Sequence, residues 1–285
     1  MKAPAVFSRR FLLGAGTSAT IAVPLWMQAG LARAATLSSN PPSLSPGAAR
    51  DLAARRLVVI DPGHGGKDPG CIGTGNIYEK HVALDVGWDL RRALERGGYD
   101  VMMTRETDMF IPLPDRVDFA ERHQATLFMS IHANALLDQP TVRGASVFTF
   151  SADPSDPLAR EIAADENSVQ RIADPTFHGV SPQVSQILWS LMAQSTKYQS
   201  VLLQQKVVEA LGKNVPMLGN PARHATFAVL QSAAIPSVLV ETAFLSNPQD
   251  EAELRTLDFR LRLAASMQSA VDAWFLARQY ALASL

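Results

Sequence analysis

Short apolar runs of strand length recur along the chain. Residues 58–60 read Val-Val-Ile, residues 127–131 read Leu-Phe-Met-Ser-Ile, and residues 238–240 read Val-Leu-Val. Runs rich in β-branched and other apolar residues, ended by turn-forming or polar residues, predict short buried strands. By the same criterion, further strands are predicted at residues 99–104, 145–150 and 227–230.

Apolar residues at helical spacing lie between these strands. From Glu79 onwards, Val82, Val86, Leu90 and Leu94 fall on one face, and Gly97-Gly98 ends the pattern. Other helices are predicted at residues 113–122, through most of residues 157–211, and at residues 257–280. The alternation of strands and helices predicts an α/β fold with a mostly parallel or mixed central sheet and helices on both faces.

Composition narrows the possible functions. Of the 285 residues, 47% are hydrophobic and 19% charged, which is typical of a globular protein with a sizeable core. Beyond residue 34 there are 22 basic and 27 acidic residues, a net charge of −5, which argues against a nucleic-acid partner. Cys71 is the only cysteine, so an internal disulfide and a multi-cysteine metal site are excluded. Cys71 itself is interpreted as a bystander in a loop.

The amino-terminal segment has the features of an export signal. Residues 8–13, Ser-Arg-Arg-Phe-Leu-Leu, resemble a twin-arginine signal, and Ala32-Arg33-Ala34 forms a small-x-small cleavage site. A basic tail beside a membrane helix is the alternative, but Pro24 and many small polar residues make a poor membrane helix. We therefore expect a signal peptide over residues 1–34, a linker over 35–54 and a catalytic domain over 55–285. The expected location is the periplasm, with the twin-arginine translocase as a transient partner.

Three predicted strands end in side chains that can bind metal or transfer protons. His64 follows the first strand, His132 ends the strand at 127–131, and Glu241 ends the last strand. Open α/β sheets bind their ligands outside the carboxyl ends of the strands. A catalytic zinc site commonly uses two histidines and a carboxylate and leaves a position for water. The pattern therefore predicts a zinc hydrolase with Glu241 as the general base.

Several assignments at this site have alternatives. Glu79 is the preferred third ligand, although it also fits a first-turn acid that stabilises the helix dipole. His81 competes as a ligand but points away from the side of Glu79. Glu241 is preferred as the base, and a carboxylate paired with an arginine such as Arg105 is its alternative. The remaining histidines lack a position at a strand end and are interpreted as surface or packing residues: His123, His178 and His224.

Together these segments resemble the zinc-dependent N-acetylmuramoyl-L-alanine amidases, which cut peptidoglycan. The matching motifs cover essentially all of residues 56–280 and are Asp-Pro-Gly-His-Gly-Gly at 61–66, Glu-Lys at 79–80, Thr-Arg at 104–105, Ser-Ile-His-Ala-Asn at 130–134 and Val-Glu-Thr-Ala-Phe-Leu-Ser-Asn at 240–247. The resemblance implies one Zn²⁺ held by His64, Glu79 and His132, catalytic Glu241, and a sheet of about six strands. Ala243 replaces the usual glycine, a small-for-small change. The short division amidases, which lack a wall-targeting domain, are the most similar, and the brief linker here leaves no room for such a domain.

A helical insertion at about residues 151–195 is interpreted as a regulatory element. Leu158, Ile162, Val169 and Ile172 form one apolar stripe, with Asp165 and Glu166 beside or within it. Geometry alone allows either acid to be a metal ligand. It also allows neither, if both side chains reach solvent at the edge of the stripe. Residues 158–167 resemble the regulatory helix of division amidases, which implies that Glu166 blocks the metal in a closed state.

The resemblance therefore implies a periplasmic enzyme that cleaves the bond between N-acetylmuramic acid and L-alanine during daughter-cell separation. It further implies autoinhibition that is relieved by a LytM-type activator. Another zinc amide hydrolase, such as a deacetylase or peptidase, would use the same ligands and base. A non-catalytic wall-binding module is the alternative from a different class of protein. Such a module would be expected to lack a ligand or the base, that is, one of His64, Glu79, His132 and Glu241.

Overall fold

A six-stranded sheet lies at the centre of the described part of the chain. The computed structural model describes residues 56–136, 138–175, 181–192 and 194–283, so the predicted signal peptide, the linker and His178 lie outside the described residues. Neighbouring strands are parallel except for β4, which runs antiparallel to β6. In the order β2-β1-β3-β6-β4-β5, the strands are β1 (Leu57–Pro62), β2 (Asp100–Met103), β3 (Leu127–Asn134), β4 (Ala145–Phe150), β5 (Met217–Ala225) and β6 (Ser237–Phe244).

Helices connect these strands. They are α1 (Glu79–Arg96), α2 (Leu113–Arg122), α3 (Pro157–Ser168), α4 (Gln170–Ala173), α5 (Pro182–Leu191), α6 (Gln194–Leu211), α7 (Pro248–Leu254) and α8 (Leu257–Ala283). Within the described residues, none of these helices combines the length and apolar character needed to cross a membrane. The predicted helical region 157–211 is thus four helices rather than one continuous element.

The two faces of the sheet bury different side chains, as the alternation along each strand requires. Val58 and Ile60 of β1 pack into one apolar cluster with residues of α1, α6 and α8. Val59, between them, packs into a second cluster with residues of α2 and α3. The predicted α/β fold, with a mixed sheet of six strands and helices on both faces, is confirmed.

One predicted strand is wrong. Residues 227–230 were expected to be extended, but Ala228–Leu230 forms a single turn of 3₁₀ helix. Phe227 and Leu230 are completely buried and pack against α2 and α3 instead of joining the sheet. The fifth strand is Met217–Ala225, an edge strand whose partly exposed, polar sequence gives little apolar signal.

Candidate metal centre

The carboxyl ends of three adjacent strands define the site. Strands β1, β3 and β6 are neighbours and parallel, and His132 of β3 lies opposite Glu241 of β6 in the register. His64 comes two residues after the end of β1. The sheet therefore brings the three side chains to one edge, as the positions of the strand ends in the sequence indicate.

Two buried arginines hold the turn that carries His64. Arg105 donates from Nε to the carbonyl of Pro62 (2.9 Å) and from Nη2 to that of Gly63 (2.7 Å). Arg116 donates from Nη2 to the carbonyl of His64 (2.8 Å) and pairs with Asp61 (2.8 Å). Burial, followed by the nearby charge of Arg116, lowers the pKa of Arg105 to about 10, so Arg105 stays protonated at neutral pH.

Glu79 is the first residue of α1 and points into the same site. Its Oε1 accepts a hydrogen bond from the amide of Ala133 (3.0 Å), and its Oε2 accepts one from the amide of Cys71 (2.9 Å). Two glycines leave room for this arrangement. A Cβ on Gly63 would lie 2.2 Å from the ring of His132, and one on Gly70, at a φ of +66°, would lie 2.6 Å from Glu79.

Four ligand atoms converge in a buried cluster. Glu79 Oε1 lies 3.0 Å from both His64 Nε2 and His132 Nδ1. Glu166 Oε2, from α3, lies 3.0 Å from His132 Nδ1 and 3.4 Å from His64 Nε2. Zinc bonds of about 2.0–2.1 Å in a tetrahedron place ligand atoms about 3.3 Å apart. The cluster, whose ligand atoms all lie within 4.8 Å of one another, therefore fits a zinc ion.

The polar contacts of the cluster also favour a cation. His64 Nε2 is buried and makes no hydrogen bond with any residue that the structure describes, despite the carboxylate 3.0 Å away. Burial raises the pKa of Glu166, but His132 and His64 outweigh burial and lower this pKa to about 2. Burial likewise opposes ionisation of Glu79, yet His64 and His132 hold the pKa of Glu79 well below its usual range.

The pKa values of the two imidazoles are raised, whereas those of the two carboxylates are lowered. Burial lowers the pKa of His64, but Glu79 and Glu166 outweigh it, so this pKa lies well above its usual value. For His132, burial is outweighed first by Glu166, and the pKa rises to about 10. Two ionised carboxylates thus require two positive charges at the cluster. Neutral imidazoles with Zn²⁺ satisfy that requirement with the N and O donors that zinc prefers.

Glu241 lies beside the cluster and is completely buried. Neither of its carboxylate oxygens has a hydrogen-bond partner among the described residues. Burial, reinforced by the charges of Glu166 and Glu79, raises the pKa of Glu241 well above its usual value. Arg105 bonds to backbone carbonyls instead, so the alternative pairing of Glu241 with Arg105 is wrong.

The other candidates lie away from the cluster. His81 is half exposed and lies 3.8 Å from Asp108, His123 bonds to the carbonyl of Phe119, and His224 is exposed. Asp165, the alternative to Glu166, is exposed and is not among the four cluster residues, although it lines the same cavity as Glu166.

Asp68 was missed by the sequence reasoning. Its Oδ2 lies 2.9 Å from His64 Nδ1, so it fixes the ring of this candidate ligand from behind. An acid four residues after a candidate ligand, across a glycine turn, is the signal that identifies such a residue.

Comparison with known proteins gives a consistent result. The sequence matches the family model described as N-acetylmuramoyl-L-alanine amidase over residues 58–273. It is 35% identical over 269 residues to the N-acetylmuramoyl-L-alanine amidase AmiA of Escherichia coli K12, which covers 94% of this chain and 92% of the relative. It is 36% identical over 230 residues to AmiC of Neisseria meningitidis serogroup B, covering 80% of this chain and 55% of the relative.

Solved structures agree on the fold. The amidase AmiC2 of Nostoc punctiforme superposes with a TM-score of 0.55 at 26% identity, covering 77% of this chain and 97% of that one. The catalytic domain of CwlV, an amidase of Paenibacillus polymyxa, superposes with a TM-score of 0.56 at 25% identity and the same coverage.

Proposed function

Because the chain belongs to the N-acetylmuramoyl-L-alanine amidase family, we propose that it is a zinc enzyme held in a latent state by its own Glu166. As an amidase of this family, it hydrolyses the amide bond between N-acetylmuramic acid and L-alanine of peptidoglycan. The zinc ion, the roles of individual residues and the latent state are the proposal.

His64, Glu79 and His132 are the proposed protein ligands of the zinc. Their mutual distances, the unpaired Nε2 of His64 and the charge of the cluster support this set. Zinc bound there would polarise the scissile carbonyl and lower the pKa of water from about 15.7 toward roughly 7. Asp68 holds the ring of His64, and the amides of Cys71 and Ala133 hold Glu79, so the ligands are oriented before any metal arrives.

Glu241 is the proposed general base. A carboxylate without hydrogen-bond partners, with a raised pKa, is suited to accept a proton from the attacking water. The same carboxyl group then returns the proton to the leaving amine of L-alanine. No covalent bond between enzyme and substrate is required. The match to an amidase family favours this reaction over the deacetylase or peptidase that would use the same ligands.

The position of Glu166 is the observation that carries the latent state. Glu166 Oε2 lies 3.0 and 3.4 Å from the same imidazole nitrogens that Glu79 Oε1 contacts. Catalytic zinc sites use three protein ligands and leave the fourth position for water or substrate. The carboxylate of Glu166, as a fourth protein ligand, fills that position, so neither water nor substrate can enter while α3 is in place.

Helix α3 and the turn after it are fixed to the body of the domain. Ile162 is buried in the second apolar cluster. Asn167, next to Glu166, donates from Nδ2 to the carbonyl of Thr226 (2.6 Å) and accepts at Oδ1 from the amide of Ala228 (2.8 Å). Lys67 donates to the carbonyl of Ile172 (3.0 Å). These contacts support a closed arrangement that persists until a partner displaces it.

A LytM-type activator is the proposed partner. Val184, Ile187 and Leu191 of α5 lie on one face at helical spacing, and each side chain is exposed. Because α5 follows the blocking segment in the sequence, a protein that binds this apolar face can favour the open arrangement and shift the population toward it.

Substitution of Glu166 tests the latent state. Glu166→Ala should raise basal hydrolysis of purified sacculi at least tenfold, because the fourth ligand position becomes free. Asp153→Ala removes the same charge from an exposed position before α3 that does not line the cavity, and it should leave the basal rate unchanged. Mass spectrometry should identify free stem peptides as products, rather than acetate or cut glycans. A Glu166→Ala protein that is folded and zinc-loaded yet as slow as wild type would contradict the proposal.

Export is proposed from the sequence alone. The Arg9-Arg10 pair and the similarity to amidases of the cell wall support a periplasmic enzyme that acts in septal wall splitting. Arg9→Lys with Arg10→Lys should retain the precursor in the cytoplasm, as judged by cell fractionation, and a normally processed periplasmic product would contradict this.

A further inference from the structure

Asn134 is a buried polar residue to which the reaction described above gives no role. It ends β3 two residues after His132, and the register with β6 shifts between these two positions. Its side chain is 7% exposed, and its Nδ2 has no hydrogen-bond partner among the described residues.

The orientation of this amide group is fixed. The backbone amide of Ala135 donates to Asn134 Oδ1 at 2.6 Å, which identifies the oxygen end of the carboxamide. The Nδ2 group therefore remains available to donate a hydrogen bond. Asn134 lines a cavity of about 890 Å³, which His64 and Glu79 also line.

A buried amide N–H₂ group without a hydrogen-bond acceptor destabilises the folded protein, so buried donors are nearly always paired. In a substrate cavity, the missing acceptor is supplied when the substrate binds. The chain that an N-acetylmuramoyl-L-alanine amidase cleaves offers two carbonyl oxygens near the reacting bond, one in the lactyl group and one in L-alanine. An amide N–H₂ group is a suitable donor to either oxygen.

We propose that Asn134 is a substrate-binding residue that donates from Nδ2 to a carbonyl oxygen of the lactyl–alanyl segment. This inference rests on the proposed site, because it requires the scissile bond to lie at the cluster of His64, Glu79 and His132. Asn134 holds the acyl or peptide group in register with Glu241.

Two substitutions separate this role from a structural one. Asn134→Ala removes both ends of the carboxamide. Asn134→Asp retains size and the acceptor for the amide of Ala135 but removes the donor. Gln205→Ala is the matched control, because it removes an exposed carboxamide from α6.

Kinetics are measured on a soluble muropeptide, with the full chain, in whichever of the wild type and Glu166→Ala backgrounds is faster. Both Asn134 variants should lose at least tenfold in kcat/KM while retaining stoichiometric zinc, and the control should match its parent. A fall in kcat of about 10²–10³-fold assigns the bond to the scissile carbonyl. A rise in KM alone assigns it to the carbonyl of L-alanine.

The inference is overturned if Asn134→Asp stays within twofold of its parent in both constants, because the role is then only the contact with Ala135. Loss of zinc from both variants would also overturn it. Glu241→Gln, measured in parallel, keeps this failure distinct from failure of the proposed site. An active Glu241→Gln protein would contradict the proposed site itself. An inactive Glu241→Gln protein together with normal Asn134 variants would contradict only the role of Asn134.

Discussion

The backbone of His64 lies in the left-handed region, with a φ of 59°. This conformation is strained for residues other than glycine. Three side chains offset this strain. Arg105 and Arg116 bind the three successive carbonyls of Pro62, Gly63 and His64, and Asp68 holds the ring at Nδ1. The strained turn directs His64 Nε2 toward Glu79 and His132, so the proposed role of His64 as a metal ligand would account for a conformation that is otherwise unfavourable.

The first prediction concerns Glu241. Glu241→Gln preserves size but removes the base, so the rate of muropeptide hydrolysis should fall by about 10²–10⁴-fold. Bound zinc should be unchanged, because Glu241 is not among the four cluster ligands. Metal analysis and product release are measured on the same sample, with Glu253→Gln as a partly exposed control. Wild-type turnover by a zinc-loaded Glu241→Gln protein would place the base elsewhere.

The second prediction concerns Asp68. Asp68→Ala removes the carboxylate that orients His64, and loss of such an outer partner lowers metal affinity by about 10–100-fold. Competition with a chromogenic chelator measures the change. Asp85→Ala, at an exposed position on α1, should bind zinc as the wild type does. Equal affinities for the two variants would show that Asp68 does not orient the ligand.

At the scale of elements, local sequence predicts the interior strands best. Residues of β1, β3 and β6 are completely or almost completely buried, and their mostly apolar runs predict both the strands and the candidate site residues at the strand ends. β5 was missed because an edge strand with exposed polar residues needs no such run. Residues 227–230 were misassigned because a buried apolar turn has the same composition as a buried strand.

Contacts between distant segments are harder to predict. The position of Glu166 depends on Asn167 meeting Thr226 and Ala228, about sixty residues away, and no local pattern indicates such a contact. Periodicity left Asp165 and Glu166 as alternatives, and family resemblance was needed to choose between them. In the structure Glu166 belongs to the cluster, whereas Asp165 lies at the exposed edge of the same cavity.

The third prediction concerns the ion pair that joins β1 to α2. Arg116→Met leaves the carboxylate of Asp61 buried without its cation. The free energy of unfolding in urea at pH 7 should therefore fall by about 3–5 kcal/mol. Arg122→Met, at an exposed position on the same helix, should change it by less than about 0.5 kcal/mol.

The pH dependence of this pair follows from the pKa of Asp61. Burial raises that pKa, but the charge of Arg116 and hydrogen bonds from Thr104 and Ser130 outweigh burial, so it lies below 3.8. A lowered pKa in the folded state stabilises the wild type above the unfolded value, and this contribution is lost as pH falls through the folded value. In Arg116→Met, only the hydrogen bonds from Thr104 and Ser130 still oppose burial, so the pKa of Asp61 rises. The stability gap between the two proteins should narrow as the pH falls from 7 toward 3.8, and a constant gap would contradict the assignment.

At the scale of the whole molecule, the candidate metal cluster joins two parts of the fold, and under the proposed function it would connect catalysis to regulation. His64 lies in the turn after β1, His132 in β3 and Glu79 at the start of α1, whereas Glu166 belongs to α3. A zinc ion at this cluster would therefore bind the sheet and the blocking helix together. Its removal leaves two close carboxylates that only protonated imidazoles can neutralise.

The last prediction measures this connection by amide hydrogen exchange. Chelation of zinc should increase exchange in peptides covering residues 157–173, because α3 and α4 lose the attachment through Glu166. Glu166→Ala should raise exchange there even with zinc present, and chelation should add little further change. Peptides from α8, which packs on the core far along the chain from this segment, should be unaffected in every sample and serve as the internal control. If chelation leaves residues 157–173 as protected as in the zinc-loaded protein, the apolar and Asn167 contacts alone hold the blocking helix, and the metal takes no part in the latent state.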